Sequence, residues 1–412
     1  CDMAAVESVC GGATIAGTDI LALLAQLIDQ SWVQVEVQPG NARYRLLEVV
    51  RQYADERRGV QGEHAWLAQR HAAHYLALTE EAHQALSGPE QGPWLTRLET
   101  EHDNVRAALQ WALAQQQCEL GLHLVRNLWR FWYARGYLRE GAAWFTHFLT
   151  LSRPIAATFP PTLWIQVLFG AGRIAYFQGD YAASAQHFGE MRAVAEANGD
   201  AAQRASALTQ LGNVALYTGA VAEARSLYAE GLALRRALGD ARTIGSSLGN
   251  LGWVALLESD FQTAQAYFME CLPLHQHLSD TIEIMRTLTG LGLVATGLRD
   301  AAVAYDHFVA CLAIAQRLDA KRAIADCLDG LAALAAAQGQ HGRALRLAGA
   351  AEALELAIGN PLPPYWQKRR AEALAPARRA LGDAASAEML LAGRIMTLPQ
   401  AIAEALAPSA PS

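Results

Sequence analysis

Small residues and large apolar residues recur along this chain at a fixed interval of 40 positions. The small position is occupied by Gly172, Gly212, Gly252, Gly292 and Ala332. A ring, or in the last copy a small substitute, follows each of them by 16 positions: Phe188, Tyr228, Phe268, Phe308 and Ala348. A glycine inside a helix costs up to about 1 kcal/mol relative to alanine, so its repetition indicates that two helices must approach closely. The pattern predicts helical hairpins whose ring fills the groove shared with the next hairpin.

The ends of the predicted helices carry matching signals. Three repeats close with Gly199-Asp200, Gly239-Asp240 and Ser279-Asp280. Glycine suits the left-handed residue that ends one helix, and aspartate caps the start of the next. Because a single hairpin cannot bury both of its faces, the hairpins must stack into a solenoid. The expected fold is all-α, a right-handed α-solenoid of about five hairpins with degenerate pairs on either side.

The first sixty residues have a different pattern of hydrophobic and polar positions. A helical pattern at 19–31 precedes alternation at 32–38, a turn at Pro39-Gly40-Asn41, a second strand at 42–47 and a helix at 48–58. Helix, hairpin and helix form the second half of a winged helix, and we expect that a preceding part of the protein lies upstream of Cys1. Four regions follow from these patterns: a partial winged helix at 1–60, a helical connector at 61–160, the repeat array at 161–360, and capping helices with a disordered Pro/Ser tail at 361–412.

Composition narrows the class of protein. The net charge of −7 argues against affinity gained by neutralising phosphates, although it leaves a local basic patch possible. Six scattered cysteines without a CxxC pair predict reduced thiols. The chain has no 18-residue apolar run and no secretion signal, so we expect a cytoplasmic protein without a membrane partner.

Residues with catalytic or metal-binding chemistry do not form a recognisable constellation. His71 and His74 could supply half of a metal site, but the sequence offers no further ligand at suitable spacing. Glu99, Glu101 and Asp103 could act as acids, although a solvated helix face paired with Arg97 and Arg106 is the simpler interpretation. We therefore predict no catalytic residue, no metal site and no cofactor in this chain.

Two further clusters leave alternatives open. The arginines near the predicted wing could contact DNA, but the acidic chain makes nucleic acid an unexpected partner, and a bracing role within the protein is favoured. These arginines are Arg43, Arg45, Arg51, Arg57 and Arg58. The aromatic run from Trp129 to Tyr133 is either the core of a long helix or a binding anchor, because Trp, Tyr and Arg dominate interface hot spots.

The concave groove of the solenoid is the predicted binding site for a protein, peptide or small-molecule effector. Helical spacing from the repeat glycine selects the positions of the first helix that should line it. The selected residues are Gln166, Phe169, Arg173, Tyr176, Ser206, Thr209, Asn213, Ser246, Trp253, Arg286, Thr289, Asp326 and Asp329. They combine an apolar floor with a few polar groups, as ligand sites do.

Residues 164–360 resemble the tetratricopeptide repeat in their Leu/Gly/aromatic/Ala spacing, with a longer period than the usual 34 residues. RYRLLEVVRQYA at 43–54 and EHDNVRAAL at 101–109 are similar to bacterial STAND signal-transduction ATPases of the LuxR-like and maltose-regulator-like type. That resemblance implies a P-loop NTPase module upstream, in intramolecular contact with a sensor array. This sequence has no Gly-Lys pair, so nucleotide hydrolysis is not assigned to it.

The leading hypothesis is a sensing and autoinhibitory region of a signalling ATPase or transcription regulator. A plain adaptor that joins two proteins without switching is the alternative. An enzyme with a site hidden among the histidines and acids is a third hypothesis, which detectable metal or turnover would support.

Overall fold

The computed structural model describes residues 1–12, 15, 17–38, 41–47, 50, 52, 53, 64–358, 362 and 364–407. The chain divides into two compact units, Cys1–Val194 and Ala195–Ser412. Nearly all the described residues are helical, and one two-stranded antiparallel sheet lies near the N-terminus. The prediction of an all-α fold with a small β-hairpin is confirmed. In the described residues, no helix is both long and apolar enough to cross a membrane.

Unit 1 begins with two short helices and the hairpin, and continues with antiparallel helices. The hairpin pairs Val33 with Leu46 and Gln38 with Asn41. The predicted turn residues Pro39 and Gly40, and most of the predicted helix at 48–58, lie outside the described residues. The elements of unit 1 are α1 (Met3–Cys10), α2 (Gly17–Asp29), β1 (Val33–Gln38), β2 (Asn41–Leu46), α3 (His64–Ala85), α4 (Gln91–Thr100), α5 (His102–Ala114), α6 (Cys118–Arg135), α7 (Leu138–Ser152), a short 3-10 helix (Arg153–Thr158), α8 (Pro161–Gln178) and α9 (Tyr181–Ala197), which ends just beyond the boundary.

A buried carboxylate ties the β-hairpin to the helices of unit 1. Glu101 is only 4% exposed, and it accepts hydrogen bonds from Arg43 on β2, from Tyr75 Oη at 2.9 Å and from Asn104 Nδ2 at 2.7 Å. Burial alone would raise the pKa of Glu101, but the three donors lower it below its usual value. The expectation of a solvated face is therefore wrong for Glu101, although Asp103 does pair with Arg106 at 3.2 Å.

Unit 2 contains four consecutive hairpins followed by a long C-terminal return. Aspartates at 200, 240 and 280 cap the next helix as predicted, and the residues before them adopt the left-handed conformation, including Ser279 with a φ of 53°. The helices of unit 2 are α10 (Ala201–Tyr217), α11 (Val221–Leu238), α12 (Ala241–Leu257), α13 (Phe261–His277), α14 (Thr281–Gly297), α15 (Ala301–Arg317), α16 (Lys321–Ala337), α17 (His341–Ala357), α18 (Pro364–Arg394) and α19 (Leu398–Leu406).

Two of the repeated rings, Phe268 and Phe308, are wedged between glycines of two successive hairpins. A methyl group at Gly252 would lie 2.7 Å from Phe268 in the same hairpin, and one at Gly290 would lie 2.5 Å from the same ring. Phe308 is held in the same way by Gly292 and Gly330, and both rings are completely buried. The prediction that glycine permits close approach and that the ring is shared with the next hairpin is confirmed.

The last hairpin, α16 and α17, lacks this ring and is covered by the C-terminal helices instead. Gly349 on α17 faces the backbone of Leu390, and Gly393 faces the backbone of Arg346, with no room for a methyl group at either glycine. Gly382, at φ 76° and ψ 169°, divides α18 into two helical segments. The second segment packs on the backbone of α17, while the first segment reaches α12 through Trp253 and α17 through Glu355.

Candidate binding faces of the two units

We call the first helix of each hairpin its A helix, and the side that carries the predicted groove residues the A-helix face. In unit 2 the A helices are α10, α12, α14 and α16. The start of α18 lies against this face. Trp366 packs edge-on against Trp253 of α12 at a centroid distance of 5.2 Å, and Tyr365 packs edge-on against Tyr217 of α10 at 6.2 Å. Arg369 donates a hydrogen bond to the carbonyl oxygen of Leu256.

A buried arginine anchors the same segment further along the array. Arg370 lies 2.5 Å from Asp329 of α16 and 2.5 Å from Glu355 of α17. The side chains of Arg370 and Glu355 are 8% and 6% exposed. An ion pair so poorly hydrated depends on both partners, because a single charge left behind in the interior is strongly unfavourable.

The two predicted aspartates of α16 are partly buried. Burial raises the pKa of Asp326 to about 6, although Arg322, 3.0 Å away, works in the opposite direction. Burial likewise raises the pKa of Asp329 to about 6 despite Arg370, and Glu355 adds to the rise. These carboxylates therefore gain protons more readily than they would in water.

The remaining predicted residues of unit 2 differ in how accessible they are. Asn213 accepts a hydrogen bond from Tyr228 Oη at 2.7 Å, and Arg286 donates to Asn250 at 2.7 Å and lies over the ring of Trp253. Ser206, Thr209 and Ser246 are half-buried, and the hydroxyls of Thr209 and Ser246 bond to their own helices. Thr289 is buried against Met285 and Cys311, so it contributes to packing.

Unit 1 presents arginine and aromatic rings at the equivalent positions. Phe169 lies edge-on to Trp129 at 5.8 Å, and the guanidinium of Arg173 lies over the rings of Phe177 and Trp129. Tyr176 contacts Phe177 and Tyr181, whereas Gln166 is exposed. The structure thus groups three of the four predicted residues of unit 1 in one aromatic cluster.

The aromatic run of α6 is interpreted from its sequence either as core or as a binding anchor, and the structure places part of it in each environment. Phe131 and Trp132 are buried in the core of unit 1. Arg130 and Tyr133 lie on the other side of the helix, where Tyr133 is 48% exposed and stacks on Phe177 at 3.9 Å. The run therefore serves both as core and as part of the A-helix face.

Sequence reasoning missed the four α18 residues that occupy the face of unit 2. Three of them, Tyr365, Trp366 and Arg369, contact positions more than a hundred residues away, and no local periodicity reports such a contact. A signal did exist, because Tyr365-Trp366 and Arg369-Arg370 combine the residue types typical of interface hot spots.

Histidines pack against rings and polar groups. His71 and His74 lie against Tyr75 at centroid distances of 4.6 and 5.0 Å, and burial lowers the pKa of both imidazoles. In the part of the chain that the structure describes, no three His, Cys, Asp or Glu residues converge as metal ligands would.

Comparison with known proteins agrees with this architecture. Residues 203–277 match the tetratricopeptide repeat family. Proteins of Mycobacterium bovis and Mycobacterium tuberculosis, HTH-type transcriptional regulators by name, are 38% identical over 148 residues, or 36% of this chain. That match spans 17% of the length of those relatives.

Solved structures extend the likeness at low identity. The apo form of RapI is 12% identical, with a TM-score of 0.51, over 78% of this chain and 97% of RapI. A STAND protein with a tetratricopeptide repeat sensor from Pyrococcus horikoshii is 13% identical, with a TM-score of 0.47, over 87% of this chain and 57% of that one. The chain is an all-α protein built on tetratricopeptide-like repeats, with one small β-hairpin near its N-terminus.

Proposed function

We propose that this chain is a regulatory region that binds a protein or peptide on its A-helix faces, and that α18 competes with that ligand in unit 2. The observation that carries the proposal is the seating of Trp366 and Arg370 on Trp253 and Asp329. Aromatic rings and arginines of an incoming partner are the groups that such a face would bind. The segment of α18 thus resembles a ligand that the chain carries with it.

Competition of this kind provides autoinhibition. A ligand shifts an equilibrium between two states only as far as it binds one of them better than the other. If α18 must leave before the ligand binds, then binding is coupled to the movement of α18, and a neighbouring module can detect that movement. We propose that the module belongs to a longer regulator of the STAND type, with a winged helix at 1–60 and an NTPase upstream.

The test weakens the contact of α18 without touching the face itself. In the full chain, Trp366→Ala removes the ring against Trp253, and Lys368→Ala changes an exposed neighbour as the matched control. We expect Trp366→Ala to speed hydrogen exchange in the first half of α18 and to increase binding to an array of short random peptides. Lys368→Ala should leave both measurements unchanged.

Two results would argue against the proposal. If exchange speeds up in Trp366→Ala but peptide binding stays constant or falls, then α18 is part of the structural core and does not compete with a ligand. If neither quantity changes, the contact is too weak to regulate anything, and a plain adaptor becomes the better description.

A further inference from the structure

Two arginines occupy the same place in consecutive A helices of unit 1. The helices α6 and α8 both end at a left-handed glycine, Gly136 with a φ of 81° and Gly179 with a φ of 80°. Arg130 and Arg173 each precede that glycine by six positions. Since α6 and α8 pack against each other, the matching positions bring both side chains to one face.

Aromatic rings hold the two guanidinium groups. Arg130 lies over the indole of Trp129 at 4.5 Å from its centroid, and Arg173 lies 5.9 Å from the same ring. Arg173 also lies 4.6 Å from the centroid of Phe177, on which Tyr133 stacks. Two positive charges are therefore gathered around a single indole, above an aromatic floor.

The charge of Arg130 is not balanced by a carboxylate among the described residues. Among the described residues, Arg130 makes no hydrogen bond or ion pair, and its guanidinium lies over the ring of Trp129. Burial lowers the pKa of Arg130, and repulsion from Arg173 lowers it further. Arg126, one turn before Arg130, adds a third charge whose pKa burial also lowers, with Glu80 acting weakly in the opposite direction. An anion placed here would relieve that repulsion.

We propose that Arg130 and Arg173, with Trp129, Phe177 and Tyr133, bind a carboxylate of an acidic peptide that carries an apolar side chain beside it. Guanidinium groups pair with carboxylates through two parallel hydrogen bonds, and partial removal from water strengthens such bonds. The rings offer a surface for the neighbouring apolar group. This proposal depends on the proposed function for the idea of a peptide ligand, but the anion site can be tested separately.

Two features favour a carboxylate over a phosphate. Both arginines lie near the C-terminal ends of their helices, where the helix dipole repels a multiply charged group more than a singly charged one. Phosphate sites also commonly use backbone amides at helix N-termini, whereas here the donors are side chains. Rings on both sides of the arginines, Phe169 and Tyr133, further suit an extended peptide.

The experiment measures sequence preference. The full chain is applied to an array of short peptides in which Glu alternates with Gln, and Asp with Asn, at every position beside Phe, Leu or Ser. We expect wild type to prefer acidic peptides with an apolar neighbour. Arg130→Gln and Arg173→Gln should each reduce that preference by roughly tenfold, as expected for the loss of one charged hydrogen-bonding group. Arg139→Gln, an exposed arginine on α7, is the matched control and should have no effect.

The outcomes separate this site from the role of α18. Acidic preference that is equal in all four proteins, or absent from wild type, would overturn the anion site. Inorganic phosphate or a nucleotide that displaces probes without acidic preference would show that the site takes a phosphate instead. Because Arg130 is half-buried, Arg173→Gln is measured beside Arg130→Gln, and circular dichroism spectra check the helicity of both variants. The Trp366→Ala test of α18 can fail independently of this experiment. If it fails while both arginine variants lose the preference for acidic peptides, the anion site is still supported.

Discussion

The A-helix faces of the two units carry the same architecture with opposite electrostatics. In unit 1 the face gathers arginines around Trp129, and Arg130 has no carboxylate partner among the described residues. In unit 2 the face ends in Asp326 and Asp329, and an arginine from α18 lies against the second of them. One repeat framework therefore gives a face with one arginine, Arg130, that lacks a carboxylate partner among the described residues, and a face already occupied by a segment of the same chain.

The difference shows that the repeat keeps its glycines and rings while other residues of the A-helix face change. Glycine and ring positions are nearly constant from hairpin to hairpin, and two of the rings, Phe268 and Phe308, are each enclosed by two glycines. The position that follows each repeat glycine varies, from Arg173 to Asn213, Trp253 and Leu293, although its side chain can touch a ring. Trp253 lies edge-on to Phe268, for example, and Asn213 accepts a hydrogen bond from Tyr228. Variation at constant geometry is what makes such arrays adaptable binding surfaces.

We call the part of the unit 2 face that carries Asp326 and Asp329 the acidic face. The largest effect on stability should come from Arg370, which pairs with Asp329 there. Arg370→Met leaves Asp329 and Glu355 without their cation in a poorly hydrated site, so we expect the free energy of unfolding to fall by about 3 kcal/mol. Urea titration followed by circular dichroism measures the loss. Arg379→Met, at an exposed position of α18, should change it little. Equal losses in both variants would show that the ion pair is not what holds α18.

Packing between hairpins should give the next largest effect. Gly290→Ala places a methyl group 2.5 Å from Phe268, and we expect a loss of about 1–3 kcal/mol, the usual cost of overpacking a core. Gly249→Ala is the matched control on α12, because a methyl group there meets nothing within 4 Å. That variant should gain up to about 1 kcal/mol from its higher helix propensity. Thermal unfolding of both variants would separate the two effects, and a gain in Gly290→Ala would contradict the wedge.

The acidic face should also respond to pH. The pKa of Asp329 is about 6 in the folded chain, against about 3.9 for an ordinary aspartate, so the folded state keeps a proton that the unfolded state releases. Its contribution to stability is therefore fully present below about pH 4 and declines as the pH rises to about 6. Relative to Asp329→Asn, wild type should lose about 1 kcal/mol over that range, since partial exposure reduces the full effect. Urea midpoints between pH 4 and 7 test this, and a flat difference would show that Asp329 titrates as in water.

The smallest change is expected on the basic face. Arg130→Gln removes a half-buried charge that Arg173 repels, so the free energy of unfolding should stay within about 0.5 kcal/mol of wild type or rise slightly. Arg370 and Arg130 are thus both partly desolvated arginines with opposite expected consequences. A large loss of stability in Arg130→Gln, measured by the same urea titration, would show that Arg130 stabilises the fold as Arg370 does. The proposed difference between the two faces would then be wrong.

The sequence predicts the repeats well and the return of α18 poorly. Spacing alone locates Gly252, Phe268 and the aspartate caps, because each obeys a local rule of helix geometry. The burial of Glu101 and the seating of Trp366 depend on contacts with Arg43 and Trp253, which are remote in sequence. The sequence therefore predicts which residues lie on the A-helix face, but it does not predict which segment covers them.

The first segment of α18 touches α12 through Trp253 and α16 through Asp329, two hairpins apart. The two junctions built on Phe268 and Phe308 use the same ring and glycines, so the array could lose or gain one of these repeats without a local mismatch. The helix that makes both contacts requires a fixed distance between α12 and α16. Since its two contacts are set by the hairpins between them, deletion of one of those repeats would leave either its indole or its guanidinium out of register.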